Sequence, residues 1–112
     1  MKVDALRPRP TGCEPFRRDR LIHVPAASGC YVLATVTGDI LYAGLATKLR
    51  TRMDQHLDSP EKTGPTPHGR AVQFFWLEAD AIEAVERGWL NAHVLATGAL
   101  PILNKVNSPV FG

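Results

Sequence analysis

Gly29-Cys30-Tyr31-Val32-Leu33-Ala34-Thr35-Val36-Thr37-Gly38-Asp39-Ile40-Leu41-Tyr42-Ala43-Gly44 is the stretch that decides the fold. Cys30 to Val36 is apolar or β-branched, Thr37-Gly38-Asp39 is turn chemistry, and Ile40 to Tyr42 returns to apolar and aromatic types. Strand, short turn and strand is an antiparallel hairpin. It puts Tyr31 and Tyr42, eleven residues apart, on adjacent strands at positions that can share one face. Cross-strand aromatic pairing is one use of such a pair, worth about 0.2–1 kcal/mol. Chemistry is the other. A phenol ionises near pH ~10, so it serves as a base only with positive charge beside it.

Working outward, Thr47 can cap a helix running to about Leu57, on which Leu49, Met53 and Leu57 form one apolar stripe. Arg52 and His56, four residues apart, project from one side of that helix. A guanidinium fork suits phosphate oxygens, although a lone arginine is equally at home on a surface. Lys48 and Arg50 stand nearby as further phosphate contacts. Residues 58–70 hold three prolines and two glycines and read as a loop. His68 there either approaches substrate or is solvated, and Lys62 and Arg70 extend a basic track.

Ala71 to Leu77, with Phe74, Phe75 and Trp76, reads as a central strand buried on both faces. Asp80 can cap a second helix from Ala81 to Ala96, stopped by Gly98 and Pro101, with Ile82, Val85, Trp89 and Ala92 inward. Leu103 to Gly112 reads as a short irregular or helical cover. The expected product is an α+β domain, a small three-stranded antiparallel sheet flanked by helices.

A chain of 112 residues is one domain. Its 13 basic and 11 acidic residues leave +2, which neither demands nor excludes a polyanionic partner. Residues 1–24 carry Lys2, Arg7, Arg9, Arg17, Arg18 and Arg20 with Pro8, Pro10 and Pro15. They read as a basic, proline-containing arm apart from a domain at 25–112. No signal-peptide pattern and no membrane-length apolar run is visible, so the expectation is a soluble, cytoplasmic protein. Cys13 and Cys30 make neither a disulfide scaffold nor a cysteine zinc site. Cys30 reads as a buried filler.

Glu86 is the oddest residue. It lies four after Ile82 and three before Trp89, on or beside the face that should be buried. An ionised carboxylate there is costly without a partner. Two explanations stand: it pairs with an arginine at the edge of the stripe, or it holds a divalent metal together with substrate oxygens.

Taken together, these residues resemble the GIY-YIG nuclease family. Gly29-Cys30-Tyr31 and Tyr42-Ala43-Gly44 look like its two motifs, with Cys30 and Ala43 at the positions of the motif isoleucines. Arg52 and His56 follow on the next helix, Glu86 precedes Trp89, and Asn104 stands near the end. The resemblance covers roughly residues 27–107.

It implies the GIY-YIG fold and a metal-dependent endonuclease acting on nucleic acid, DNA ahead of RNA, as monomer or homodimer. In that scheme Tyr42 takes a proton from water, directly or through His56. Arg52 stabilises the transition state, and Glu86 holds one Mg²⁺ or Mn²⁺. Tyr31 places water or phosphate, Asn104 orients a neighbour such as a tyrosine hydroxyl, and Gly44 permits close backbone approach. With no attached recognition domain, Arg17, Arg18 and Arg20 of the arm are expected to grip the backbone. A catalytically inactive nucleic-acid binder on the same scaffold, and an interaction module that docks an acidic protein, are the competing readings.

Overall fold

The hairpin forms where the sequence puts it. In the computed structural model, which describes residues 1–107 and the side chains of residues 1–104, β2 (Gly29–Ala34) pairs antiparallel with β3 (Ile40–Ala46). Thr35 closes the turn: its N–H reaches the Asp39 carbonyl, and its hydroxyl accepts from the Asp39 N–H. Tyr31 lies opposite Gly44 and Leu33 opposite Tyr42, so both tyrosines share one face.

The sheet has four strands rather than three, in the order β1-β4-β2-β3. β4 (Gln73–Glu78) lies between β2 and β1 (Gly12–Pro15). β1 is the strand the sequence hides. It has only four residues, ends on Pro15, and alternates between half-buried and exposed, which is too little for a period to emerge. Pro15 sits at an edge, where the missing N–H costs no ladder bond. The segment set apart as an arm is therefore packed on the sheet, and Val3, Leu6, Phe16 and Val24 in it are buried. β4 is interior as expected, but only Phe74 and Trp76 are buried, while Phe75 and Leu77 are half-buried on the other face.

One helix covers each face. α1 (Leu49–Leu57) sends Leu49 and Met53 into a cluster with Tyr31, Leu33, Phe74 and Trp76. α3 (Ile82–Thr97) sends Trp89, Ile82 and Val85 against Cys30, Val32 and Ala43. α3 ends on Gly98, whose φ of 84° lies in the left-handed region that suits glycine. Neither expected side-chain cap forms: Lys48 and Ala81 occupy the N-cap positions, without a side-chain bond. The 58–70 loop contains one helical turn, α2 (Pro60–Thr63). Among the described residues, no helix is long and apolar enough to cross a membrane.

α4 (Ile102–Asn107) closes the exposed edge of β3. Asn104 Oδ1 accepts from the Ala43 N–H at 2.8 Å, and its Nδ2 donates to the Ala43 carbonyl at 2.8 Å. An edge strand leaves alternate backbone groups unpaired; here one carboxamide satisfies both groups of a buried residue. The expected tyrosine hydroxyl is not the partner of Asn104. Asn104→Ala should lower unfolding free energy by about 1–3 kcal/mol, since it strands a buried donor and acceptor. Urea denaturation checks this, and a change under about 0.5 kcal/mol would mean that water replaces the carboxamide freely.

Candidate active site

Cross-strand pairing across a glycine builds the centre of the site. A Cβ at Gly44 would stand 2.7 Å from Tyr31 Oη and 2.9 Å from Tyr42 Cε2. Glycine alone leaves room for the Tyr31 ring to lie across β3 towards Tyr42. The Tyr31 ring stacks on Phe74 at 5.1 Å and stands 6.0 Å from the Tyr42 ring.

α1 then brings His56 over the pair. Its ring lies 5.4 Å from Tyr31 and 5.3 Å from Tyr42, edge-on to the latter. Tyr31 Oη and His56 Nε2 share a 2.5 Å hydrogen bond. Tyr31 is wholly buried, His56 is buried and Tyr42 is half-buried. Of the two phenols, Tyr42 is the one that solvent can reach.

Burial drives the Tyr31 hydroxyl well above its ordinary pKa, with the neighbouring Tyr42 adding to the rise and Arg52 opposing it. Tyr42 is also raised by burial, but Tyr31 and Arg52 both pull it back, and Glu86 pushes it up. Burial therefore leaves both phenols neutral at rest, with Tyr31 and Arg52 opposing the rise at Tyr42. His56 is pushed down to about 4, by burial first and then by the positive charges of Lys62 and Arg52. At neutral pH it is an uncharged imidazole, able to accept the Tyr31 hydroxyl proton in a hydrogen bond.

Glu86 comes from the opposite layer, on α3 beyond the edge strand. It is half-buried, and among the described residues its carboxylate makes no hydrogen bond or ion pair. Burial raises its pKa, Arg87 partly offsets this, and Glu83 adds to it. The arginine pairing considered for it does not form. Cys30, below it, is a filler as expected: burial and then Glu86 push its thiol up to about 11.

The other candidate residues are scattered. Arg50 donates Nε to the Val24 carbonyl at 2.8 Å, tying the N-terminal segment to α1. Lys48 and Arg70 are exposed. His68 lies away from the tyrosines, at the rim of a separate cavity of about 440 Å³ that it shares with Met1, Asp39 and His93. The three arginines expected to grip a nucleic-acid backbone face carboxylates instead. Arg17 pairs with Asp19, Arg18 with Asp54 and Asp58, and Arg20 with Glu14. Composition showed their charge; only folding shows where it is compensated.

Lys62 is not part of a solvated loop track: it is 5% exposed, and its Nζ lies 4.8 Å from the centre of the Tyr42 ring. Ser59-Pro60, a helix-start pair, is the signal that marks its turn.

Two phenols, an imidazole, a guanidinium and a carboxylate thus gather about β3 on an α+β scaffold. The GIY-YIG catalytic domain family matches residues 27–93 of the chain, a span that includes both tyrosine motifs, Arg52, His56 and Glu86. The chain belongs to the GIY-YIG family. Comparison with curated proteins returns no match.

The depressed His56 sets a pH signature. The unfolded chain takes up a proton near pH ~6.5, the folded one only near 4. The His56 contribution is therefore complete above that upper value and drains away as pH falls through the window. Wild type should lose up to about 1.4 kcal/mol per pH unit there relative to His56→Gln. Denaturant titrations at several pH values measure the difference. Parallel curves for the two proteins would show that His56 is charged in the fold.

Proposed function

We propose that the chain is a divalent-metal-dependent endonuclease that hydrolyses phosphodiester bonds, with DNA as substrate ahead of RNA. The observation that carries this reading is the unpaired, half-buried Glu86 beside a half-buried tyrosine held by Tyr31, His56 and Arg52.

Among the described residues no three His, Cys, Asp or Glu side chains gather as a metal cage. Magnesium does not require one, since it is commonly held by one or two carboxylates with waters and substrate phosphate. Glu86 fits that role: its ionised form is disfavoured by burial and, among the described residues, has no cation within ion-pair distance. Glu86 would hold one Mg²⁺ or Mn²⁺. When bound, the ion would neutralise charge on the scissile phosphate and the leaving oxygen.

The residues of the chain divide the remaining work. Tyr42, the accessible phenol, takes the proton from the attacking water as its oxygen bonds to phosphorus and the ester oxygen leaves. Tyr31 and Arg52 oppose the burial that raises Tyr42, and so lower the cost of ionising it during the transfer. Arg52 also receives the charge that grows on the non-bridging oxygens. Tyr31, wholly buried, does not touch substrate; it fixes His56 and supports the Tyr42 oxygen from behind. Asn104 holds the Ala43 peptide, and with it the backbone position of Tyr42. A soluble, cytoplasmic setting is part of the same proposal.

Labelled single-stranded DNA, duplex DNA and RNA, incubated with Mg²⁺, Mn²⁺ or chelator, test it. Metal-dependent cutting is expected. Glu86→Gln should abolish it while thermal stability stays at or above that of wild type, because a poorly solvated carboxylate is removed. Unfolding of that variant would make the carboxylate structural. Arg52→Ala should lower kcat by about 10²–10³-fold with little change in KM. A loss confined to KM would reduce Arg52 to a phosphate anchor.

A further inference from the structure

We propose that Lys62 is an additional active-site residue that donates to the phosphate being cut. It comes from the turn between α1 and β4 rather than from the two motifs. The inference rests on the nuclease reading above and adds a residue that reading does not use.

The observation behind it is a buried cation without an ion pair among the described residues. Lys62 is 5% exposed, a rare state for lysine unless it is paired. Among the described residues it has no ion pair, and its Nζ makes no hydrogen bond. Its sequence neighbour Glu61 is exposed and stands outside ion-pair distance. The nitrogen instead lies over the face of Tyr42, 4.8 Å from the ring centre. A ring face attracts the charge but leaves the three N–H donors unspent.

The lysine is not there by accident of a floppy loop. Its turn is built from Ser59: the Ser59 carbonyl accepts the N–H of Lys62 at 3.0 Å, the N–H of Thr63 at 3.1 Å and the Thr63 hydroxyl at 3.0 Å. The Gly64 N–H closes on Pro60 at 2.9 Å, and Ser59 donates its own N–H to His56 on α1 at 3.0 Å. The turn is thus hydrogen-bonded to the residue it flanks in the site.

Lys62 and Arg52 both act electrostatically on His56. Two elements therefore bring cationic side chains to two neutral phenols and a neutral imidazole, against the single carboxylate of Glu86 on the far side of β3. That excess suits an anion seated over Tyr42. Burial pulls the Lys62 ammonium below its ordinary pKa, with Glu61 opposing, and a bound anion would offset that pull. A tetrahedral phosphate supplies several acceptor oxygens, enough for a guanidinium and an ammonium at once.

The test uses the full chain with Lys62→Met, which keeps length and apolar stem, and Lys62→Arg, which keeps the charge. Cleavage kinetics are paired with thermal unfolding in inorganic phosphate, against sodium chloride of equal ionic strength. Expected is a Lys62→Met protein at least as heat-stable as wild type, with kcat down about 100-fold and KM within about threefold. Phosphate should stabilise wild type and not Lys62→Met, while Lys62→Arg keeps part of both properties.

Cleavage by Lys62→Met within about threefold of wild type would overturn the proposal and leave the nuclease reading intact. Unfolding of Lys62→Met with Lys62→Arg fully folded but no better in phosphate would overturn it too, by making the ammonium structural. A wild type that cuts nothing, yet gains stability from phosphate only with Lys62 present, would sink the nuclease reading and support the anion site.

Discussion

The 2.5 Å contact between the Tyr31 hydroxyl and His56 Nε2 is the interaction on which the rest of the site depends. Both groups are buried, and a buried polar atom without a partner is costly. Each therefore requires the other in place. Their requirement fixes the height of α1 above the sheet, and α1 carries Arg52. It also explains the glycine opposite Tyr31. A Cβ there would stand 2.7 Å from the same hydroxyl and would push it off the histidine. Gly44 is thus part of a hydrogen bond in which it takes no atom.

From that bond the electrostatics follow. A sheet face covered by the buried stripe of α1 disfavours charge, so Tyr31 is held neutral, and His56 is held neutral by burial and by two nearby cations. Tyr42, on the outer strand and half open to solvent, escapes part of that penalty. Two tyrosines alike in sequence acquire different characters because one lies on an interior strand and the other on the edge. The edge itself is maintained by Asn104, which takes the place of a neighbouring strand for Ala43.

The N-terminal segment shows how charge counts mislead. Read as residues, it is a basic arm. Folded, it supplies β1, a sheet edge and several core side chains, and its arginines at 17, 18 and 20 all face carboxylates. Exposed pairs of this kind add little stability, but they remove the arm as a uniform source of positive potential. Near Tyr42, Arg52 and Lys62 make no ion pair among the described residues.

The sequence by itself determined the hairpin, the two covering helices and the residues Tyr31, Tyr42, Arg52, His56 and Glu86 as candidates. Those depend on local order, on strand alternation and helical spacing, which a linear chain displays. Only the tertiary structure decided which candidates meet. It added β1, whose four residues are too few to show a period. It turned Asn104 from a tyrosine's partner into a backbone clamp, spent Arg50 on a carbonyl, and moved Lys62 from a solvated loop to the face of Tyr42. Each of those outcomes depends on a contact between residues far apart in sequence, and burial and distance across such contacts are set by packing rather than by residue type.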